Sequence, residues 1–383
     1  MNIGILYPKS NAHPGISLDF MDGLKIFFKQ QGLLNDIDFV YDSIGFGGSE
    51  KEVYEKTEKL LVLENVDILV AYIDLKVLGI LQPLLNASGK LMMVINPGAN
   101  YPDNWKPQPN IIHLGLQHAF LCWLAGSLAG KLTDRKAIMA TTFYDCGYLH
   151  NAAMVMGFVK HGGKVMFNYI NNQPYNDAFN IKQLTDFLST DKETRNLLCT
   201  FDALPASLLY KQLNECNEAE ELQLFVSPMM LEQKALENMP AGFNFPIAGF
   251  ISWNTAIENE SNNYFVDTYL QQTRRTPTIF SLLGWETAMV LQQVFLGCKD
   301  FYKDGKAVVT ALQKITINSP RGKIFLDAQT HYFISPVYKC AIKKHSAKVE
   351  FVCIDDPGAK WEAFVNEPSE SVSSGWINTY LCY

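Results

Sequence analysis

The chain has 383 residues, of which 48% are hydrophobic and 19% charged, with a formal net charge of -7. This composition suits two folded domains of ordinary size and excludes a disordered chain. The acidic balance, with no basic stripe interleaved with aromatics, speaks against nucleic acid as a partner.

Residues 3–7 read as a buried strand, followed at 8–15 by a loop carrying Pro, Ser, Asn and Gly. Leu18, Met21, Leu24 and Phe28 lay out an apolar helical face over 17–31, with Gly32 placed to cap it. A strand is expected at 38–41 and a helix with alternating Glu and Lys at 51–63. Then come a strand covered on both faces at 66–72, a helix at 77–87 and a strand at 91–95. The apolar stretch 119–129 falls short of the roughly 20 residues that cross a bilayer and reads as a buried core helix.

A second series of the same kind starts near Lys136. It has a strand at 137–141, a loop at 142–148, a helix at 151–161 ending at Gly162-Gly163, and a strand at 165–169. Helices at 183–188 and 205–214 alternate with strands at 197–201 and 222–226, and a strand at 247–251 is expected to leave one lobe for the other. Helices follow at 264–273, 282–297 and 307–315, then strands at 323–326, 337–342 and 349–354. The polar tail 357–383 has Trp361 and Trp376 as anchors. Strands alternating with helices imply an α/β protein with two doubly wound, mainly parallel sheets. Residues 1–117 with 249–325 are expected to form one lobe, and 118–248 with 326–383 the other.

None of the eight cysteines belongs to a C-x-x-C pair, and their spacing matches no zinc template. Cys199, Cys340 and Cys353 lie in strand-like runs as small buried hydrophobes. Thiols without partners sit more easily in a reducing compartment. The sequence contains no Gly-rich phosphate loop, no G-x-S-x-G and no H-E-x-x-H. His113 and His118 are five apart with no acidic or Cys partner, and the seven histidines read as solvent-facing or satisfied. No metal, cofactor or enzyme activity is therefore expected. Cys146 and His150, four apart at a helix start, keep one enzyme alternative open as a thiolate pair. The basic pairs Arg274-Arg275 and Lys343-Lys344 are expected on the solvated surface.

Several segments, in order, resemble the leucine/isoleucine/valine-binding family of type I periplasmic binding proteins. Asp22-Gly23-Leu24 is similar to that family's Asn-Gly-Ala step, and 66–71 to its strand before a Gly-Pro-x-Ser-Ser turn. Asn96-Pro97-Gly98-Ala99-Asn100 resembles Ser-Pro-Gly-Ala-Thr, and Asp145-Cys146-Gly147 falls where the family has an acidic residue and Tyr-Gly. Gly284-Trp285-Glu286-Thr287-Ala288, Ser319-Pro320-Arg321-Gly322 and Phe325-Leu326-Asp327 are similar to its late helix and closing segment. The resemblance implies a venus-flytrap architecture: two lobes joined by three crossovers, a guest clamped in the cleft, and no bond made or broken. The strand ends of open α/β sheets point to the same cleft, closing by hinge motion.

Departures from the family's pattern bear on the guest. The first Ser of the Ser-Ser turn corresponds to Asp74, which repels a ligand carboxylate. The Thr after Pro-Gly-Ala corresponds to Asn100, whose amide still donates. The acidic residue that takes an ammonium corresponds to Met229, and the Tyr before Gly to Cys146. The expected guest is thus not a standard branched-chain amino acid. Asp74, Asp145 and Asp202 can accept from hydroxyls or an amine. Tyr101, Tyr148, Phe201 and Trp253 can stack on a ring. Ala99, Asn100, Cys146 and Met229 complete the candidate ligand contacts.

The expected function is a solute receptor for an amino acid-like or other small polar or aromatic compound. It would serve an ABC-type permease and act as a monomer or weak dimer. A ligand-sensing module of the same fold is the alternative. The resemblance implies a periplasmic location. No charged n-region or cleavage site precedes the strand at 3–7, so the cytoplasm is kept as the alternative.

Overall fold

Residues 1–132, 134–173, 178–216, 219, 221–240, 243, 245–343, 349–367 and 380 are described in a computed structural model. Lys344, His345, Trp376 and Cys382 lie outside the described residues. The described chain divides into two units: 1–116 with 255–336 and Tyr380, and 117–254 with 337–367.

The first unit opens with β1 (Asn2–Tyr7), α1 (Ile16–Gln30), β2 (Asp38–Ser43), α2 (Glu50–Glu58), β3 (Ile68–Tyr72), α3 (Leu78–Ser88), β4 (Leu91–Asn96) and β5 (Ile111–Gly115). The second takes α4 (His118–Leu132), β6 (Lys136–Thr142), α5 (Leu149–Val159), β7 (Lys164–Asn171), α6 (Lys182–Thr190), β8 (Asn196–Thr200), α7 (Ala203–Asn214), β9 (Gln223–Val226), α8 (Gln233–Glu237) and β10 (Ile247–Ile251). The chain then adds α9 (Glu260–Thr273), α10 (Ile279–Gly297), α11 (Gly305–Leu312), β11 (Thr316–Ser319), β12 (Gly322–Leu326) and β13 (Phe333–Ile334) to the first unit. It completes the second with β14 (Tyr338–Ile342), β15 (Val349–Cys353) and α12 (Pro357–Val365).

The first unit's main sheet runs β2-β1-β3-β4-β5, every pair parallel. The second unit's runs β15-β14-β10-β9-β8-β6-β7, parallel from β7 to β10 and antiparallel at β14 and β15. Read from β7, its parallel part has the same winding as the first sheet. Every residue of β3 is buried, as expected for a strand covered on both faces.

Some boundaries differ from expectation. β10 stays with the second unit because it is hydrogen-bonded to β9 and β14. Residues 326–336 stay with the first because β13 pairs with β12. β5, β11, β13, α8 and α12 were not anticipated. Leu18, counted into the apolar face of α1, is 56% exposed; the buried stripe runs instead through Phe20, Leu24, Phe27 and Phe28. Arg275 is no free surface cation, because its guanidinium bridges Asp19 and Asp22 of α1. Cys353 is exposed, since β15 is an edge strand. By length and composition α10 passes for a membrane span, but 72% of its apolar window is buried, as in a core helix.

In both units a pair of helices meets backbone to backbone. A Cβ on Gly23 of α1 would lie 2.0 Å from the Ser281 carbonyl oxygen, and one on Gly284 of α10 would lie 1.9 Å from that of Phe20. In the second unit a Cβ on Gly126 of α4 would lie 1.9 Å from the Met154 oxygen, and one on Gly157 of α5 would lie 2.1 Å from that of Trp123. Only glycine allows such contact.

The Ser319-Pro320-Arg321 turn is a second fixed point of the first unit. Arg321 and Glu286 are both fully buried and form a two-pronged ion pair, Nε to Oε1 at 2.8 Å and Nη2 to Oε2 at 2.5 Å. Arg321 Nη1 also donates to the Gly115 carbonyl at 3.0 Å and to Ser335 Oγ at 3.3 Å. Asn259 Nδ2 donates to the Pro320 carbonyl at 3.0 Å.

Differential scanning calorimetry tests both devices. Gly126→Ala should lower the transition of the second unit and Gly284→Ala that of the first, each by about 1–3 kcal/mol or more from overpacking. Gly79→Ala, whose Cβ meets nothing within 4 Å, should instead stabilise by roughly 0.4–1 kcal/mol. Arg321→Met strands a buried carboxylate and should cost about 3–5 kcal/mol.

Candidate functional site

Guests of doubly wound sheets lie beyond the carboxyl ends of the strands, where the winding reverses. That point is between β1 and β3 in the first unit and between β6 and β8 in the second. Asp74 follows β3 and Asp202 follows β8, so the two units place a carboxylate at equivalent positions. Each caps the turn behind it. Asp74 Oδ1 accepts from the Lys76 N–H at 3.1 Å, and Asp202 Oδ1 from the Ala203 N–H at 2.6 Å.

In the first unit Asn100 Nδ2 donates to Asp74 Oδ2 at 2.8 Å, so two expected ligand residues are brought together. Burial pushes the Asp74 carboxyl up to about 6, opposed by Asn100 and the turn N–H groups. Gly98 (φ +76°) bends the preceding loop. The Asn96 carboxamide then accepts from the Gly98 N–H at 2.8 Å and donates to the Ile73 carbonyl at 3.1 Å. Ala99 is buried behind this bend. Tyr101 stacks on Trp105 at 6.4 Å, Trp105 meets the edge of Tyr332 at 5.4 Å, and Tyr332 lies flat on His113 at 4.2 Å. The Tyr332 phenol is pushed up by burial and by the nearby Asp74. Burial, then His331, lowers the His113 imidazole to about 3.

In the second unit Asp145 is buried just past β6. It accepts from Thr142 Oγ1 at 2.7 Å and from the Asp202 backbone N–H. Asn151 Nδ2 donates to the Asp145 carbonyl at 2.6 Å. Burial raises the Asp145 carboxyl to about 8; Thr142 opposes this and the Asp202 charge adds to it. His118 and His150, at the starts of α4 and α5, are both buried and both lowered to about 3. Burial is the main cause for each, with Asp202 opposing at His118 and His118 adding at His150. Tyr148 is buried and its ring stacks on His150 at 5.7 Å.

Two expectations, for Phe201 and for the Cys146–His150 pair, need correction. Phe201 is fully buried in the apolar core under α6 and α7, with Cys199 and Val226, and presents no ring to the rim. Cys146 and His150 do not form a thiolate pair. The Cys146 thiol is raised by burial and hydrogen-bonds Thr141, while neither His150 ring nitrogen has a hydrogen-bond partner. His150 is thus neither solvent-facing nor satisfied. Trp253 is buried one residue before the end of the second unit's middle segment. Met229 is buried in the turn after β9. Sequence reasoning missed Thr142, His113, His118, His150 and Tyr332. Only a contact across elements reveals them. Among the described residues no group of three or more His, Cys, Asp or Glu is arranged to hold a metal.

Residues 1–347 match the model of a family described as periplasmic binding protein. A solute-binding protein of an R. palustris ABC transporter, solved in complex with benzoate, is 19% identical. The match covers 93% of this chain and 97% of that one, with a TM-score of 0.71. An ABC transporter substrate-binding protein from Sphaerobacter thermophilus is 14% identical over 93% of this chain and 97% of that one, with a TM-score of 0.77. The branched-chain amino acid transporter substrate-binding protein LivJ of Streptococcus pneumoniae, in complex with isoleucine, is 12% identical. There the match covers 92% of this chain and 99% of that one, with a TM-score of 0.66. At these identities the likeness is one of fold. No curated protein matches the chain.

The buried groups set a pH profile. Folded Asp145 keeps its proton to about 8 and folded Asp74 to about 6, against 3.8 when unfolded. Their contribution is full below 3.8 and lost as pH rises through the folded values. His113, His118 and His150 resist protonation down to about 3, against 6.5 when unfolded, so theirs is present above 6.5 and lost as pH falls. Between pH 4 and 6 three imidazoles outweigh two carboxyls; above 6.5 Asp145 alone of these still titrates. The melting temperature should therefore peak near pH 6.5 and decline towards pH 8. Asp145→Asn should remove the decline. A native chain whose melting temperature stays flat from pH 6.5 to 8 contradicts this assignment.

Proposed function

This chain belongs to the periplasmic binding protein family, of the type I class that includes the branched-chain amino acid receptors, and we propose that it is the solute receptor of an ABC-type transporter for a small guest bearing hydroxyls or an amine. The guest leaves chemically unchanged. One observation carries the reading of the guest. Asp74 and Asp145 are held by an amide, hydroxyls and backbone N–H groups, and among the described residues no ammonium or guanidinium is bonded to either. A free α-carboxylate beside Asp74 would meet a second carboxyl, with only the Lys76 charge to offset it. The aromatic pairs Tyr101 on Trp105 and Tyr332 on His113, joined edge to face, supply apolar ring surface near Asp74, which suits a ring. Solved relatives hold either benzoate or isoleucine, so the family frame accommodates both ring-bearing and aliphatic guests.

The role as an intracellular ligand sensor is the second reading. It is favoured by Cys122, Cys146, Cys199, Cys298, Cys340 and Cys353, none of them in a disulfide, a pattern at home in a reducing compartment. Fractionation of cells expressing the native gene distinguishes the two readings: a periplasmic protein supports transport and a cytosolic one supports sensing.

Thermal-shift screening tests the guest. Hydroxylated aromatics, polyols and aromatic amines should raise the melting temperature by several degrees, and leucine, isoleucine and valine should not. A shift with the branched-chain amino acids alone defeats the reading.

A further inference from the structure

One residue below the second unit's rim, the sheet carries a row of hydroxyls. Thr141 on β6 pairs in register with Thr200 on β8. Ser227 extends the ladder between β8 and β9 one step past the pair Cys199 and Val226, its N–H donating to the Cys199 carbonyl at 2.9 Å. Successive residues of a strand face opposite ways. Cys199 and Val226 point into the core under α6 and α7, so Thr200 and Ser227 turn to the face that α4 and α5 cover. Contacts agree with this. Thr200 Oγ1 donates to Thr141 Oγ1 at 2.9 Å, and Asn151 of α5 donates to the same Thr141 oxygen at 3.3 Å. His150 is the neighbour of Asn151 on α5.

This layer is buried yet incompletely bonded. Thr200, Ser227 and His150 have no exposed surface. His150 Nδ1 and Nε2, Asn151 Oδ1 and Ser227 Oγ have no hydrogen-bond partner. A buried polar atom left unpaired costs about 1–3 kcal/mol, so these four atoms are open to hydrogen bonds from an occupant. Hydroxyls and a neutral imidazole each offer a donor and an acceptor. A carboxylate offers only acceptors and would approach the Asp202 charge that acts on Asp145.

We propose that the layer of Thr141, Thr200, Ser227, Asn151 and His150 is a hydroxyl-recognition subsite of the second lobe. It takes an uncharged diol or polyol group of the guest, with Ser227 and His150 setting specificity. The proposal rests on the solute-receptor reading and narrows its guest.

Calorimetric titration of the full chain with catechol and myo-inositol, against benzoate and isoleucine, tests it. At least one of the two neutral compounds should bind. Ser227→Ala and His150→Phe should each weaken that binding tenfold or more. The melting temperature of the free variants should stay or rise, because each substitution removes an unpaired buried polar atom; a purely structural role would lower it. Binding of benzoate or isoleucine with neither neutral compound overturns the subsite, as does neutral binding that both variants leave intact. Variants that raise the melting temperature in a chain that binds neither diol mark a water-filled layer and also overturn it. All three outcomes leave the receptor reading standing. Absence of a melting shift with every member of a broad solute library defeats the receptor reading itself.

Discussion

Arg321 and Glu286, charges without solvent, organise the first unit. The pair links α10 to the turn between β11 and β12, and the remaining guanidinium donors reach Gly115 and Ser335. Those residues lie next to Leu116 and Pro336, where the chain passes between units. Asn259, just past the passage after Asn254, is bonded to the same turn. The passages after Leu116, Asn254 and Pro336 are therefore tied, on the first unit's side, to one turn of chain. A buried ion pair is weak evidence for stability. Its value here is directional, because a planar fork accepts few alternative arrangements.

Much of this was legible in sequence, and the failures have physical causes. The alternation of strands and helices was read because periodicity is local. The segments around Glu286 and Arg321 were both recognised as similar to one family, but nothing local reports that they bond across 35 residues. β5 escaped because His113 interrupts its short apolar run, and β13 because it has two residues. At the site, Asp74 and Asn100 were legible as strand-end residues. His118 and His150 were not, since their meeting depends on how α4 crosses α5. Phe201 shows an avoidable error. Cys199 was assigned to the core, and a residue two positions along a strand shares its face.

The two units share a winding and differ in chemistry. Beyond β3 the first presents a carboxyl bonded to an amide beside a run of stacked rings. Beyond β6 and β8 the second presents hydroxyls, imidazoles and a carboxyl that keeps its proton well above the usual range. Equivalent aspartates, Asp74 and Asp202, close both strand ends as caps.

The backbone contacts at Gly23, Gly126, Gly157 and Gly284 bear on how such a receptor changes its diet over evolutionary time. Any other residue type there adds a Cβ where a carbonyl already stands, so these four positions admit no substitution without moving a helix. The short connecting segments after the strands carry no such constraint. A lineage built this way explores new nutrients by editing loops, and an engineer redirecting it would begin at the same places.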